Sequence, residues 1–482
     1  MLEIQKNFVY AASEKPLVLG VFEDAEKATI DPKIDPEIAT LIKEKQLKFE
    51  IGKVNKVFTF GKIKNQIVYL IGLGKKAEYS YEKLEESLRD VNYKLGSELH
   101  ILVGSFSEGL CEEETAKRII QTVSAYNYKF DECLSEKINN DLSLKLISSH
   151  DLSAVALEAF QISAAIDNTR DLINKPYNYL SAADLADYAV KLAKSLDDPK
   201  LRIRVYGKAE IAELGMNAFL GVNKGSSAEP KLIHIVYENS SKPAVAIVGK
   251  GLMYDTGGYS IKTQMNNMKD DMSGAATVLG VFELAVKRQL PINLHVVICA
   301  TDNRINGEAL LPDDVLTAMN KKTIEVVSTD AEGRLTLADA VCFAQKQRAA
   351  EVIDLATLTG AVCVALGEYT VGLFGNDQET VDQMLAAGKA VSEEIWQLPI
   401  NDYIRKQVRG SKVADLTNST GKNMGASSGA AFIEAFIDKP TKWMHLDIAG
   451  TAFHTSPFYK EFYGATGLTV KTLYQYLKDR PL

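Results

Sequence analysis

The sequence predicts an α/β protein in which a smaller N-terminal α/β domain is joined by a long helix to a larger α/β domain with a mixed sheet covered by helices. Three observations predict it. Short apolar, β-branched runs alternate with helix-like stretches along most of the chain. The stretch from Leu152 to about Ile173 keeps apolar residues, including Val155, Ile162 and Ile166, at helical spacing. And 482 residues, 46% of them hydrophobic and 24% charged, suffice for two or three domains with a large core. The expected divisions are residues 1–150 for the N-terminal domain, 151–175 for the connecting helix and 176–482 for the larger domain.

In the first domain, Leu17 to Val21, Val57 to Phe60, Gln66 to Ile71 and His100 to Val103 read as strands. Tyr81 to Leu95 and Glu114 to Tyr126 read as amphipathic helices. This domain shows little chemistry and suits oligomerisation or regulation. Ile71-Gly72-Leu73-Gly74-Lys75-Lys76 lacks the GxxxxGK-Ser/Thr spacing of a phosphate loop, so a tight turn is expected there. Lys175-Pro176 should end the connecting helix, since a residue before proline disfavours helix. Ser181 reads as the N-cap of a helix over Ala182 to Lys194. Further on, strands are expected at Arg202 to Tyr206, Leu232 to Tyr237, Ala244 to Val248, Leu294 to Ala300, Thr323 to Val327, Val352 to Ala356 and Met444 to Leu446. Helices are expected over Gly274 to Arg288, Leu335 to Gln345 and Leu468 to Lys478, and a loop over Thr417 to Gly429.

The net charge of -8 disfavours nucleic acid or an anionic membrane surface as partner, and no run of 18 apolar residues suggests a membrane span. The N-terminal stretch has no basic region followed by an apolar one, so a cytoplasmic location is expected. The five Cys residues show no metal-ligand spacing; Cys299, Cys342 and Cys363 lie in apolar runs and read as buried thiols. The six His residues form no metal-binding array, and His234 and His295, within strand-like runs, read as satisfied core residues.

Charge gathers instead in two stretches. In Ser328-Thr329-Asp330-Ala331-Glu332-Gly333-Arg334, an extended junction would send Asp330, Glu332 and Arg334 to one side, placing two carboxylates and a guanidinium in one small space. That cluster suits metal ions, or else is a solvated acidic turn. The second stretch follows the strand Ala244 to Val248: Gly249-Lys250-Gly251-Leu252-Met253-Tyr254-Asp255-Thr256-Gly257-Gly258, and then Lys262 and Asp271. Loops after strands are where α/β proteins place ligands. Asp270 reads as the cap of the following helix, which leaves Asp271 free for metal.

With VGKGLMYDTGGYSIK, DDMSGAATVLG, STDAEGRLTLADA, IDLATLTGA and HLDIAGTAF in order, the chain resembles the leucyl aminopeptidase (cytosol aminopeptidase) family of two-metal exopeptidases, densely from about residue 170 onward. The resemblance implies a larger domain that is catalytic and two divalent ions per subunit. One would be held by Lys250, Asp255, Asp271 and Glu332, and the other by Asp255, Asp330 and Glu332 with the carbonyl of Asp330. Lys250 would ligate as a neutral amine. Lys262 would stabilise the substrate carbonyl, and Arg334 would anchor a bicarbonate ion acting as general base. Met268, Thr357, Leu358, Gly360 and Ala449 match the lining of the pocket for the first side chain, which suggests a broad preference for Leu- or Met-type residues. The ligand types are compatible with Zn, Mn, Mg or Co, with Mn and Zn foremost. Peptide substrates and a homohexamer are further expectations of the resemblance.

Three departures touch the substrate neighbourhood: Ser328 stands where the family usually has Asn, the segment between Lys262 and Asp271 is short, and Gly421 to Gly429 lacks the usual double glycine. Two competing readings are a dimetal phosphoesterase and a DNA-binding protein on the same scaffold. The acidic balance argues against the second.

Overall fold

A computed structural model describes residues 2–5, 14–89, 98–138, 143–455 and 463–480. The chain divides into two compact units, Met1–Asp167 and Asn168–Leu482, and the division falls inside the helix Ser153–Asn174. The first, smaller unit holds a six-stranded sheet in the order 2–5, Ser143–Ile147, Glu98–Leu102, Leu17–Val21, Ile67–Gly72, Val54–Phe58. Every neighbouring pair is parallel except the last. Leu17, Leu19 and Val21 pack on one face and Val18 on the other, the alternation that a strand buried on both sides requires. The Gly72–Gly74 segment is not the tight turn expected: Gly72 closes the strand Ile67–Gly72, and Leu73 N–H donates to Val21 O. Gly74 has φ +71°, its N–H donates to Phe49 O, and a Cβ there would sit 2.8 Å from Ile51 Cγ1. The helix expected to run to Leu95 is described over Tyr81–Leu88, and residues 90–95 of that expectation lie outside the described residues.

The second, larger unit is built on an eight-stranded mixed sheet. Its order is Glu394–Gln397, Thr370–Gly375, Lys442–Asp447, Glu351–Ala356, Val245–Asp255, Asn293–Asn303, Lys231–Glu238, Leu201–Tyr206. The four strands from Lys442–Asp447 to Asn293–Asn303 run parallel, so their carboxyl ends open on one side. The helix Ala182–Leu196 starts at a full capping box from Ser181 and Asp184. The helices Ser273–Lys287 and Gly333–Lys346 are almost wholly buried.

Four expectations are corrected. The strand does not end at Val248; it continues to Asp255. Its glycines admit neighbours rather than open a loop, since a Cβ on Gly249 would lie 2.6 Å from Ala275 Cα, where Ser273–Lys287 presses on the sheet. Thr323–Glu325 belongs to a separate three-stranded sheet with Val315–Thr317 and Leu416–Thr417. Within the stretch expected as a loop, Gly425–Glu434 is a helix. Cys299 and Cys342 are buried, but Cys363 is only half-buried.

Candidate metal centre

Lys250 projects from the middle of the central strand Val245–Asp255, and the other polar residues of the site sit at the end of that strand or on the turns that follow. Asp255 ends its strand. Its Oδ1 accepts from Gly257 N–H and from Asn303 Nδ2, both at 2.8 Å, and Asn303 ends the neighbouring strand. Asp255 Oδ2 lies 2.7 Å from Lys262 Nζ, which also lies 2.5 Å from Asp330 Oδ1. Lys250 Nζ donates to Thr357 O at 2.8 Å and meets Asp271 Oδ1 at 2.8 Å and Glu332 Oε1 at 3.1 Å. Gly333 makes room for that amine, because a Cβ there would stand 2.5 Å from Lys250 Cε. Ligand atoms of Asp255, Asp330 and Glu332 all lie within 4.8 Å of one another.

The structure thus brings together Lys250, Asp255, Lys262, Asp271, Asp330 and Glu332, by a different route from the one expected. The Ser328–Arg334 junction is not extended. Asp330 lies on a turn, and Glu332 is already helical at φ -77°, ψ -36°, directly before Gly333–Lys346. Arg334 is buried and makes no ion pair among the described residues, although Glu332 and Asp330 are near enough to act on its charge; its Nη1 donates to Asn418 O at 2.9 Å. Asp270 is not the expected cap either. It closes a short 3-10 turn, Met268–Asp270, and the helix starts at Ser273 without a side-chain cap.

Of the pocket residues, Thr357 Oγ1 donates to Asp271 Oδ1 at 2.8 Å, and Leu358 N–H donates to Asp447 Oδ1 at 3.0 Å. Ala449 N–H donates to that same oxygen at 3.3 Å. Gly360 opens the helix Gly360–Leu366, and a Cβ there would meet open space. Met268 stands on the turn that leads into Asp271. Sequence reasoning missed Asn303, Asn418 and Asp447. The available signal was a polar residue closing an apolar strand, which Asn303 and Asp447 both show.

Burial dominates the electrostatics. It pushes the carboxyl of Asp271 well above the usual range, and raises Glu332 and Asp330, in both cases with help from Asp255. Asp270 is pushed up to about 7, again by burial. For Lys250 and Lys262 burial works the other way, but the surrounding carboxylates outweigh it and both ammoniums are held above their ordinary value. Burial lowers Arg334. Carboxylates still outnumber ammoniums, and Asp271 Oδ2 and Glu332 Oε2 are buried without a hydrogen-bond partner. Unsatisfied buried oxygens of this kind, in an oxygen-rich set, fit divalent cations.

An oxygen-rich centre at the carboxyl ends of parallel strands defines a metal-binding α/β protein. Residues 167–474 match the catalytic domain of the cytosol aminopeptidase family, and residues 18–137 match that family's N-terminal domain. A probable cytosol aminopeptidase of Sulfurihydrogenibium sp. (strain YO3AOP1) is 38% identical over 479 residues, which cover 95% of this chain and 94% of that one. Two solved structures of the bottromycin maturation enzyme BotP are also similar. The one in complex with Mn gives a TM-score of 0.86 at 26% identity, and the other 0.85 at 27%; each comparison covers 97% of this chain and 99% of the other. The chain belongs to the cytosol aminopeptidase family. It is a metal-dependent aminopeptidase, a hydrolase. No helix among the described residues is long and apolar enough to cross a membrane.

Proposed function

We propose that this chain releases N-terminal residues, with a broad preference for Leu- and Met-type side chains, from peptides in the cytoplasm, using two divalent ions. The observation that carries the reading is the convergence of Asp255, Asp330 and Glu332 within 4.8 Å, beside Lys250 and Asp271. Lys250, Asp255, Asp271 and Glu332 would hold one ion; Asp255, Asp330, Glu332 and the Asp330 carbonyl would hold the other. When bound, such ions activate a water and polarise the scissile carbonyl.

The chain's own residues do the rest. Lys262, about one-fifth exposed, keeps its Nζ between Asp255 and Asp330 at the edge of the centre. From there an ammonium can stabilise negative charge developing on the substrate oxygen. Arg334 keeps Nε buried and unpartnered while Nη1 is anchored, so its fork suits a planar oxyanion such as bicarbonate, which would act as general base. Met268, Thr357, Leu358, Gly360 and Ala449 would line the pocket for the first side chain. The open space at Gly360 and the half-buried Leu358 favour an apolar group of some bulk. Mn is the first ion to test, because a structurally similar enzyme was solved with it, and Zn the second. The family resemblance supports a homohexamer.

The deciding experiment strips the protein with a chelator and refills it with Mn, Zn, Co or Mg. Hydrolysis of leucine p-nitroanilide and a Leu-Gly dipeptide is then followed. Activity restored by metal, and lost in Asp330→Ala, is the expected result. A folded, metal-loaded protein inactive on both substrates would sink the reading.

A further inference from the structure

We propose that Asn418 is a positioning residue that fixes the Asp330–Glu332 carboxylates and Arg334 together, as one unit. It rests on the reading of those residues given above. The residue is fully buried. It follows the strand Leu416–Thr417, whose parallel pairing with Thr323–Glu325 carries it alongside the start of the metal-site turn. Its own N–H continues that ladder, donating to Glu325 O at 3.0 Å.

The side-chain amide then closes on the turn from both sides. Oδ1 accepts from Val327 N–H at 2.8 Å and from Ser328 N–H at 3.2 Å. Nδ2 donates to Ser328 O at 2.7 Å and to Ala331 O at 3.3 Å. The backbone carbonyl of the same residue accepts from Arg334 Nη1 at 2.9 Å. The clamped segment, Val327 to Ala331, contains Asp330 and leads directly into Glu332.

The residue type follows from this set of partners. The turn offers two N–H donors and two carbonyl acceptors, and a primary amide is the side chain that answers both at this reach. A carboxylate would keep the N–H bonds but would face the carbonyls of Ser328 and Ala331 without a proton. Further along the chain, Gly429 keeps space open beside the same guanidinium: a Cβ there would stand 3.1 Å from Leu358 Cδ2, 3.2 Å from Thr359 Cγ2 and 3.3 Å from Arg334 Nη2. Asn418 thus bears on both the carboxylates and Arg334, while a methyl at Gly429 would crowd Leu358, Thr359 and Arg334, none of which lies on the Val327–Ala331 turn.

That difference supplies the test, made on the full chain. Asn418→Ala, the isosteric Asn418→Asp and Gly429→Ala would be compared with the unaltered protein. Mn(II) affinity would be read from free Mn(II) by electron paramagnetic resonance. Values of kcat and KM for leucine p-nitroanilide would be taken at saturating Mn(II), and the folded fraction from circular dichroism. Loss of a residue that orients metal ligands typically costs ~10–100-fold in affinity or activity. The expected result for Asn418→Ala is a loss of that order in Mn(II) affinity, together with a comparable fall in kcat and little change in KM. Asn418→Asp, which keeps the volume, should also lose affinity. Gly429→Ala, which crowds Arg334 and the pocket residue Leu358 but not the turn, should lower kcat and raise KM while leaving Mn(II) affinity intact. Folded Asn418→Ala and Asn418→Asp with unaltered Mn(II) affinity and kcat would overturn the proposal. So would losses that merely track the folded fraction. If the unaltered protein binds Mn(II) but hydrolyses no peptide, the aminopeptidase reading falls, and the Mn(II) affinities alone still decide whether the clamp exists.

Discussion

Both units end parallel strands in glycine-containing segments, yet they handle charge in opposite ways. In the smaller unit, Glu23, Glu50, Lys75, Glu78 and Lys83 line a cavity of about 210 Å³ beside the end of the strand Ile67–Gly72. Lys83 there is half-exposed and pairs with Glu86 at 2.8 Å on its own helix. In the larger unit, Lys250 and Glu332 are almost completely buried and meet at 3.1 Å. A surface pair in water contributes little, whereas charges removed from water interact strongly and must be fully compensated. Similar strand ends therefore yield a solvated surface in one unit and a reaction centre in the other. What separates them is desolvation, enforced by the helices Ser273–Lys287 and Gly333–Lys346 over the second site.

The sharpest way to break the comparison is to remove a carboxylate from the buried centre. Asp255→Ala should reduce kcat well beyond the ~100-fold typical of residues that merely orient ligands, because Asp255 reaches both Lys262 and the Asp330–Glu332 pair. Steady-state kinetics at saturating metal would check it. Lys262→Met should come next, lowering kcat by about 10²–10³-fold, the usual cost of one group that stabilises developing charge. Unchanged kcat in that variant would show that the ammonium only balances carboxylates. Gly333→Ala tests the close packing that excludes water. Its methyl would collide with Lys250, and overpacking of this kind costs about 1–3 kcal/mol, to be read by denaturant unfolding.

A histidine pair away from the centre, His234 buried and His295 half-buried, gives a milder contrast. His234 Nε2 and His295 Nδ1 lie 2.9 Å apart on neighbouring strands, with the rings stacked. Burial, aided by His295 and Arg202, lowers the His234 pKa to about 4. The folded protein thus binds this proton less tightly than the unfolded chain, whose histidine titrates near 6.5. Its stabilising effect is complete above about pH 6.5 and is lost as pH falls toward 4. Over that window the unaltered protein should lose roughly 2 kcal/mol more stability than His234→Gln, allowing for solvent reaching the pair at the half-buried His295. Chemical denaturation at pH 7 and pH 4.5 would measure the difference.

Much of the fold could be read from the sequence because apolar periodicity survives in the long strands and helices. Lys250, Asp255, Asp271, Asp330 and Glu332 could be named as a set only through the motifs that carry the family resemblance. Their route together was not legible. The helix Gly425–Glu434 is rich in Gly, Ser and Ala, a composition that also describes a loop; it forms because Gly425 and Gly429 let it pack closely on Ala361 and Leu358. Asn418 could not be picked out, because the groups it binds are some ninety positions away in the chain. The extended junction expected over Ser328–Arg334 is absent, because the chain is already helical at Glu332.

The smallest effect is expected where charge stays in water. Lys83 lines the smaller unit's cavity, and its partner Glu86 is one turn away on the helix Tyr81–Leu88. An exposed pair at this spacing gains little, since solvent screens it and both side chains lose freedom. Lys83→Ala should shift stability by no more than about 0.5 kcal/mol and leave kcat and KM for leucine p-nitroanilide unaltered. Thermal unfolding and the same kinetic assay would show it. A large loss of stability would mean that Lys83 is more desolvated than its exposure indicates. A change in kcat or KM would tie the smaller unit's cavity to peptide hydrolysis, and the division between a solvated surface and a buried reaction centre would no longer hold.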